Sequence, residues 1–302
     1  MRCAATLSIV TAALAAMLAA GCSDSAAPAP DADRPLRLLS LAPNVTEILF
    51  AMGLGDQIVG RSNYGDYPPE AANIPSVGDT LQLNQEKIIA LRPTIAFVIT
   101  RREDLPRALE AMGIRTVALR SDRMDQLLES IRTIGRETRH EAAAQALLDR
   151  LDKELAEVRA RVKGLPRPRT LFAFPMLIGS TQMGVAGRGT FVDDLLDVAG
   201  AENAYPDRAD WPEITPERVM ALAPETVLVN ATAENAAPDR VEAVRRAWAR
   251  WTAVPAVAAG RVYVVTEPYL TIPGPRVGLA ARRLAEILHP EARAAQAEGG
   301  AP

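Results

Sequence analysis

The chain contains the segment Asn84-Gln85-Glu86-Lys87-Ile88-Ile89-Ala90-Leu91-Arg92-Pro93 and, far downstream, the related segment Thr215-Pro216-Glu217-Arg218-Val219-Met220-Ala221-Leu222-Ala223-Pro224. Both begin with a helix-capping residue and share a glutamate, a basic residue, two aliphatic residues, Ala-Leu and a final proline. Each continues into an apolar stretch with the character of a strand, at 95–99 and 227–229. One unit used twice in 302 residues predicts two similar lobes.

Strand-like and helix-like patterns alternate on both sides of each segment, which predicts mostly parallel sheets with helices on both faces. In the middle of the chain, residues 138–163 contain neither Gly nor Pro and carry aliphatic residues at three- and four-residue steps, which predicts one long amphipathic helix. Gly164 and Pro166 would stop it, so the bridging segment is assigned to 138–164. We therefore predict an α/β protein with two Rossmann-like lobes, 36–137 and 165–290, joined by that helix. A ligand cleft is expected between the lobes, and a disordered tail over 291–302.

The N-terminus has the pattern of a secretory signal, with Arg2 before an apolar run and small residues at its end. The run Leu18-Ala19-Ala20-Gly21-Cys22 resembles a bacterial lipobox, which implies removal of residues 1–21 and lipidation of Cys22. An ordinary signal peptide or an uncleaved anchor is the alternative. Residues 22–35, rich in Ser, Ala and Pro, would form a flexible tether to the membrane.

Charge and residue usage argue against several other classes of protein. Lys and Arg number 34 against 37 Asp and Glu, without a basic patch, so nucleic acid is not an expected partner. The two histidines, His140 and His289, are placed to serve at helix ends, so no metal site is predicted. The loop 184–190 could cradle a phosphate in an envelope α/β enzyme, but it lacks the Gly-Lys-Ser/Thr ending. A turn in which Thr190 caps the next helix is favoured.

Two sets of residues are candidates for binding. Aromatic residues make up only 4% of the chain, and six of them lie in predicted loops or at a strand end, where they could line a cleft or simply pack the loops: Tyr64, Tyr67, Phe174, Tyr205, Trp211 and Tyr269. Glu86 and Glu217 each lie in the first turn of a helix. One explanation is that the helix dipole favours a carboxylate there. The other is that two equivalent lobes present two equivalent acidic side chains to a two-fold symmetric partner.

Four features together resemble the helical-backbone substrate-binding proteins of ABC importers, especially the cobalamin-binding members. These are 40–47, 66–71, the two glutamate helices and Pro273-Gly274-Pro275-Arg276. The resemblance covers about 36–290 and implies capture of a corrinoid such as cobalamin, delivered to a permease, with haem or a ferric siderophore as the alternative ligand. It implies no catalytic residue and no resident cofactor.

The resemblance also implies roles for particular residues. Glu86 and Glu217 would dock on permease arginines. The ligand-binding positions would be Pro43, Tyr64, Phe174, Trp211, Tyr269 and Arg276. The chain departs from the resemblance at about Thr80, where a cobalamin-binding member has an aromatic residue, and the missing aromatic wall leaves the exact ligand open.

Overall fold

Two parallel sheets form the centres of the two lobes in the computed structural model, which describes residues 35–79, 82–101, 103–175, 181–207, 210–231 and 236–291. The first sheet contains β1 (Leu38–Ser40), β2 (Ile58–Arg61), β3 (Ile95–Ile99) and β4 (Arg115–Leu119). The second contains β5 (Arg169–Ala173), β7 (Glu202–Asn203), β9 (Thr226–Asn230) and β10 (Val262–Val265). A short antiparallel pair, β6 (Met183–Gly184) and β8 (Glu213–Ile214), lies beside the second sheet.

The two sheets have the same topology. Their strand orders are β2-β1-β3-β4 and β7-β5-β9-β10, with every pairing parallel. In each lobe the first strand of the sheet is therefore flanked by the second and the third. This agreement shows that the repeated sequence segment reflects a repeated lobe. The strands are continuously apolar, without alternation of apolar and polar residues, as is typical of sheets covered on both faces.

Ten α-helices surround the sheets in the described part of the chain. In the first lobe they are α1 (Pro43–Ala51), α2 (Gln85–Leu91), α3 (Asp104–Ala111) and α4 (Met124–Thr138). The bridging helix is α5 (Glu141–Val162). In the second lobe they are α6 (Phe191–Val198), α7 (Pro216–Leu222), α8 (Pro238–Ala249), α9 (Pro255–Ala258) and α10 (Val277–Leu288). The two copies of the repeated segment are α2 and α7, and each leads into the third strand of its sheet.

The bridging helix starts later than the sequence pattern predicts. It begins at Glu141 rather than at residue 138, because Arg139 adopts a left-handed conformation with φ of 60° and ends α4. The predicted apolar seam is correct: Leu147, Leu148, Leu151, Leu155, Val158 and Val162 are all buried. They join one hydrophobic core that reaches into both lobes, including Phe97 and Phe172. This shared core makes the chain from Leu36 onward a single unit.

Several predictions fall outside the described residues. These are the signal peptide, Cys22, nearly all of the tether, Thr80 and the tail beyond Glu291. Within the described residues, none of the helices has the length and apolar character needed to cross a membrane.

Candidate ligand-binding cleft

Two cavities lie between the lobes, and each is lined by residues of both. The first, which we call the tyrosine cavity, has a volume of about 260 Å³. It is lined by Pro43, Glu47, Tyr64, Asp66, Tyr67, Pro268, Ile272 and Arg276. The second, the tryptophan cavity, has a volume of about 300 Å³. It is lined by Arg101, Ser121, Asp122, Thr190, Phe191, Asp210, Trp211, Thr271 and Pro273.

The segment 271–273 borders both cavities, since Ile272 faces the first and its two neighbours face the second. The side-chain amide of Asn44 donates a 3.1 Å hydrogen bond to the carbonyl oxygen of Pro273 and ties this segment to α1. The two cavities are therefore two halves of one cleft. Both halves carry charged side chains, and their aromatic side chains are Tyr64 and Tyr67 in the first half and Phe191 and Trp211 in the second.

The tyrosine cavity is built around a buried ion pair between the lobes. Arg276 donates to both carboxylate oxygens of Glu47, at 2.9 Å from Nε and 2.6 Å from Nη2. Burial raises the pKa of Glu47, and the hydrogen bonds from Arg276 oppose that rise. The guanidinium carbon of Arg276 also lies 3.8 Å from the ring centroid of Tyr67 and 5.4 Å from that of Tyr269. Arg276 thus connects α1 of the first lobe to the aromatic wall of the cavity.

The tryptophan cavity has an exposed ion pair across its mouth. Arg101, just after β3, pairs with Asp210 of the second lobe and with Asp122 at 2.9 Å. The hydrogen bond from Arg101 lowers the pKa of Asp210. Trp211 is half exposed, and its ring meets the ring of Phe174 edge-on with centroids 5.4 Å apart. The arrangement offers an apolar face beside groups that can donate and accept hydrogen bonds.

Four of the six predicted ligand-binding residues line the cleft. Pro43, Tyr64 and Arg276 line the tyrosine cavity, and Trp211 lines the tryptophan cavity. Phe174 and Tyr269 line neither cavity: the ring of Phe174 contacts the ring of Trp211, and the ring of Tyr269 lies near the guanidinium of Arg276.

Sequence reasoning missed Glu47, Arg101 and Asp210. Arg101 could have been predicted, because it follows the carboxyl end of a parallel strand, and ligands of open α/β sheets bind at that end of the strands.

The loop 184–190 is not arranged to hold a phosphate. The backbone amide of Gly189 donates to the carboxylate of Asp193 at 2.7 Å, and the amide of Gly187 donates to the carbonyl oxygen of Asp210 at 3.1 Å. The hydroxyl of Thr190 accepts from the amide of Asp193 and caps α6, as the sequence predicts. These amides are already satisfied, and a carboxylate in the first helical turn would repel an anion.

The histidines also act at helix ends. His289 is buried and its Nε2 lies 3.0 Å from the carbonyl oxygen of Ala199, the residue that ends α6. His140 precedes α5, and its Nδ1 lies 2.6 Å from the carbonyl oxygen of Thr138. Among the described residues, no group of three or more His, Cys, Asp or Glu side chains could hold a metal ion.

Glu86 and Glu217 occupy the same position in the two lobes. Each is exposed and is the second residue of its helix, after a side-chain cap from Asn84 or Thr215. The cap oxygens accept from the backbone amides of Lys87 and Arg218, at 2.9 Å and 3.4 Å. A hydrogen bond from Thr215 lowers the pKa of Glu217, which keeps its carboxylate charged.

Two similar α/β lobes with a cleft between them, joined by a helix packed into a shared core, define a two-lobed α/β fold of the kind found in periplasmic binding proteins. Residues 38–269 match the model of the periplasmic binding protein family, and the chain belongs to that family. The resemblance to helical-backbone substrate-binding proteins of ABC importers is confirmed, as is the two-lobe fold.

Individual relatives agree with this assignment. The chain is 29% identical over 259 residues to the vitamin B12-binding protein of Pectobacterium carotovorum subsp. carotovorum (strain PC1), covering 84% of this chain and 88% of that protein. It is 27% identical over 262 residues to the uncharacterized ABC transporter substrate-binding lipoprotein YvrC of Bacillus subtilis (strain 168), covering 85% and 81%. The apo periplasmic heme-binding protein RhuT from Roseiflexus sp. RS-1 superposes with a TM-score of 0.74 and 26% identity, covering 86% and 100%. These relatives carry the names of binding proteins, not of enzymes.

Proposed function

We propose that this chain is a lipid-anchored receptor on the periplasmic side of the bacterial envelope. In this proposal it captures a corrinoid such as cobalamin and delivers it to the permease of an ABC importer. The observation that carries the proposal is the cleft itself, in which a tyrosine-lined half and a tryptophan-lined half meet along one segment. A relative named as a vitamin B12-binding protein, at 29% identity, supports the choice of ligand.

The size of the cleft fits a ligand that spans both halves. Each cavity alone is at or below the lower end of the range of roughly 300–1,000 Å³ for small-molecule sites. A large planar macrocycle would extend across the segment 271–273, with apolar faces against Tyr64 and Trp211. Its polar side groups would meet Arg101, Asp122 and Asp210. The rigid bridging helix and the shared core favour a cleft that is largely formed before binding.

Haem is the second candidate ligand. A structural relative is named as a heme-binding protein, and the exposed Tyr64 lines the tyrosine cavity. A tyrosine oxygen is one of the ligands that proteins supply to haem iron. Titration separates the candidates. The purified chain from residue 23 onward, which lacks the anchor, is titrated with cyanocobalamin, hemin and ferric siderophores. Saturable binding of cyanocobalamin alone supports the proposal, and saturable binding of hemin alone replaces it with the haem alternative.

Trp211→Ala should weaken ligand binding by about tenfold or more while leaving the far-ultraviolet circular dichroism unchanged. Loss of an aromatic contact at a binding hot spot costs a few kcal/mol, and about 1.4 kcal/mol corresponds to tenfold. Leu279→Ala is the matched control, because Leu279 is 44% exposed and Trp211 is 45% exposed, but Leu279 lies on α10 away from both cavities. Equal affinities for the two variants would remove Trp211 from the binding site.

The lipid anchor has its own test. In the wild type, mass spectrometry of the mature N-terminus should show acyl groups on Cys22, and Cys22→Ser should lose both the acyl groups and the membrane association. The thioether to lipid needs the cysteine sulfur, and stable anchoring needs more than one acyl chain. An unmodified mature N-terminus in the wild type would contradict the lipoprotein assignment without affecting the receptor assignment.

A further inference from the structure

Two buried side chains in the described part of the chain have polar atoms without a hydrogen-bond partner, and they are those of Ser62 and Asn230. The atoms are the hydroxyl oxygen of Ser62 and both the Nδ2 and the Oδ1 of Asn230. The two residues are only 3% and 2% exposed, so water does not reach these atoms freely. Buried polar groups in folded proteins are almost always paired, so these two need a specific explanation.

Both residues lie at the cleft end of a sheet. Asn230 is the last residue of β9, and Ser62 directly follows β2. The cavities lie at the same ends of the strands, since Tyr64 lies shortly after β2 and Arg101 shortly after β3. Each lobe therefore has one unpaired buried polar side chain at the edge of its sheet where ligands of open α/β sheets bind.

Ser62 lies beneath the loop that lines the tyrosine cavity. A Cβ atom on Gly65 would lie 3.4 Å from the hydroxyl oxygen of Ser62. The two neighbours of Gly65, which are Tyr64 and Asp66, both line the cavity. The absence of a side chain at Gly65 keeps the hydroxyl close to the cavity wall.

Asn230 lies beside Phe174, whose ring contacts Trp211 of the tryptophan cavity. Asn230 pairs with Val265 on one side in the sheet, and Phe174 follows one residue after the last pair of β5 with β9 on the other side. The side chain of Asn230 shares a sheet face with that of Leu228, because alternate residues of a strand point the same way. Leu228, Val265 and the half-buried Phe174 all belong to or pack against the shared core. A shift of the Phe174 ring would expose the Asn230 amide to a ligand in the tryptophan cavity.

The two arginines that line the cleft among the described residues are already paired. Both carboxylate oxygens of Glu47 accept hydrogen bonds from Arg276, and Arg101 forms ion pairs with both Asp122 and Asp210. A ligand carboxylate would have to displace one of these protein carboxylates or lie against it, and like charges in close contact are unfavourable. A neutral amide can bind in the cleft without breaking either set of ion pairs.

We propose that the amide of Asn230 binds a carboxamide of the ligand through two hydrogen bonds, one donated by Nδ2 and one accepted by Oδ1. The hydroxyl of Ser62 supplies a further hydrogen bond in the other half of the cleft. This inference rests on the proposed function and names the ligand chemistry that the cleft selects, which is a macrocycle with neutral amide side groups, as in a corrinoid. Haem carries two carboxylates, and an ionised carboxylate can only accept hydrogen bonds, so it leaves the Oδ1 of Asn230 unpaired.

The test compares two corrinoids that differ in these side groups. Dicyanocobinamide carries amides around the ring, and dicyanocobyrinic acid carries free carboxylates at the same positions. The purified chain from residue 23 onward is titrated with each at neutral pH, where the carboxylates are ionised. The wild type should bind the amide form about a hundredfold more tightly or better, because a site built to hydrogen-bond a ligand group rejects an analogue that leaves its polar groups unpaired.

Asn230→Leu should reduce that preference to about tenfold. It should weaken the binding of dicyanocobinamide and leave the binding of dicyanocobyrinic acid nearly unchanged, since only the amide form makes the hydrogen bonds that are lost. An equal loss of affinity for both corrinoids would overturn the assignment of Asn230. Ser62→Ala should weaken the binding of dicyanocobinamide about fivefold, and unchanged affinity would remove Ser62 from the site.

Asn203→Leu is the matched control for a structural role, because Asn203 is a buried asparagine of the same sheet whose amide is paired. Its Nδ2 donates to the carbonyl oxygen of Ala186 and its Oδ1 accepts from the backbone amide of Tyr205, both at 3.1 Å. Asn203→Leu should unfold at a clearly lower urea concentration than the wild type. Asn230→Leu should unfold at the wild-type concentration or above it, because it loses no hydrogen bond. If both variants are destabilised alike, the Asn230 amide serves the fold and the inference is wrong.

The titrations also separate this inference from the proposed function. If the wild type binds neither of the two corrinoids nor cyanocobalamin, the proposed function fails and the inference fails with it. If the wild type binds both corrinoids equally, or binds the acid form more tightly, the receptor assignment stands and amide recognition is wrong. Binding of cyanocobalamin without binding of dicyanocobinamide would also overturn amide recognition alone.

Discussion

Glu86→Arg combined with Glu217→Arg should reduce ligand uptake to the background level, about a hundredfold or more below the wild type. Both glutamates are exposed on capped helices that occupy the same position in the two lobes. Reversal would place a guanidinium against the basic side chains expected on each half of the permease. Like charges at an interface cost several kcal/mol, and about 1.4 kcal/mol corresponds to tenfold in affinity. The measurement is uptake of radiolabelled cyanocobalamin by cells that carry only the variant.

Each single reversal should give a partial loss, because each lobe docks on its own half of the permease. The matched control is Glu141→Arg combined with Asp239→Arg. It makes the same change in net charge, also at exposed acidic residues in the first turns of two helices, but outside the repeated segments. The control should transport normally, and all variants should bind cyanocobalamin with near wild-type affinity. Normal transport by the Glu86 and Glu217 double variant would reduce the pair to a helix-capping role.

Local patterns explain why so much of the fold follows from the sequence. The repeated segment carries a cap, an apolar anchor and a helix stop within ten residues, so both copies predict the same helix, strand and lobe. The aliphatic seam of α5 repeats at helical spacing and is buried as predicted.

The start of the bridging helix shows where local patterns are insufficient. Residues 138–140 contain neither Gly nor Pro, yet the chain turns there with Arg139 in a left-handed conformation. The turn allows α4 and α5 to approach closely, since a Cβ atom on Gly135 would lie only 2.6 Å from the Cβ of Ala144. Tertiary packing therefore imposes a backbone conformation that the local sequence does not encode.

The charged parts of the cleft could not be predicted from the sequence, for the same reason. Arg101 pairs with Asp210, and Glu47 pairs with Arg276, across separations of 109 and 229 residues. The local sequence around a glutamate or an arginine does not identify an ion-pair partner that lies far along the chain. Aromatic candidates were easier to propose, because aromatic residues are few, but the local sequence did not separate Tyr64 and Trp211 in the cleft from Tyr205 in the core of the second lobe.

The Glu47–Arg276 pair leads to the prediction with the largest effect on stability. Glu47→Ala should destabilise the protein by about 3–5 kcal/mol, because it leaves the guanidinium of Arg276 buried without its carboxylate. The two side chains are only 2% and 16% exposed, so water can replace the lost partner poorly. The measurement is the free energy of unfolding from urea denaturation. Asn44→Ala is the control on the same helix, and loss of its single hydrogen bond to Pro273 should cost only about 0.5–1.5 kcal/mol.

Replacing both partners, with Glu47→Leu and Arg276→Met, should recover most of that loss. Burial raises the pKa of Glu47, and the hydrogen bonds from Arg276 oppose that rise, so removing the Glu47 carboxylate from water carries a cost that the ion pair must offset. Apolar side chains of similar size avoid that cost. The double variant should nevertheless bind the ligand more weakly, since the guanidinium that stacks 3.8 Å from the Tyr67 ring is gone. If the double variant keeps both full stability and full ligand affinity, the pair has no role in orienting the tyrosine cavity. If the double variant is as unstable as Glu47→Ala, the desolvation argument is wrong.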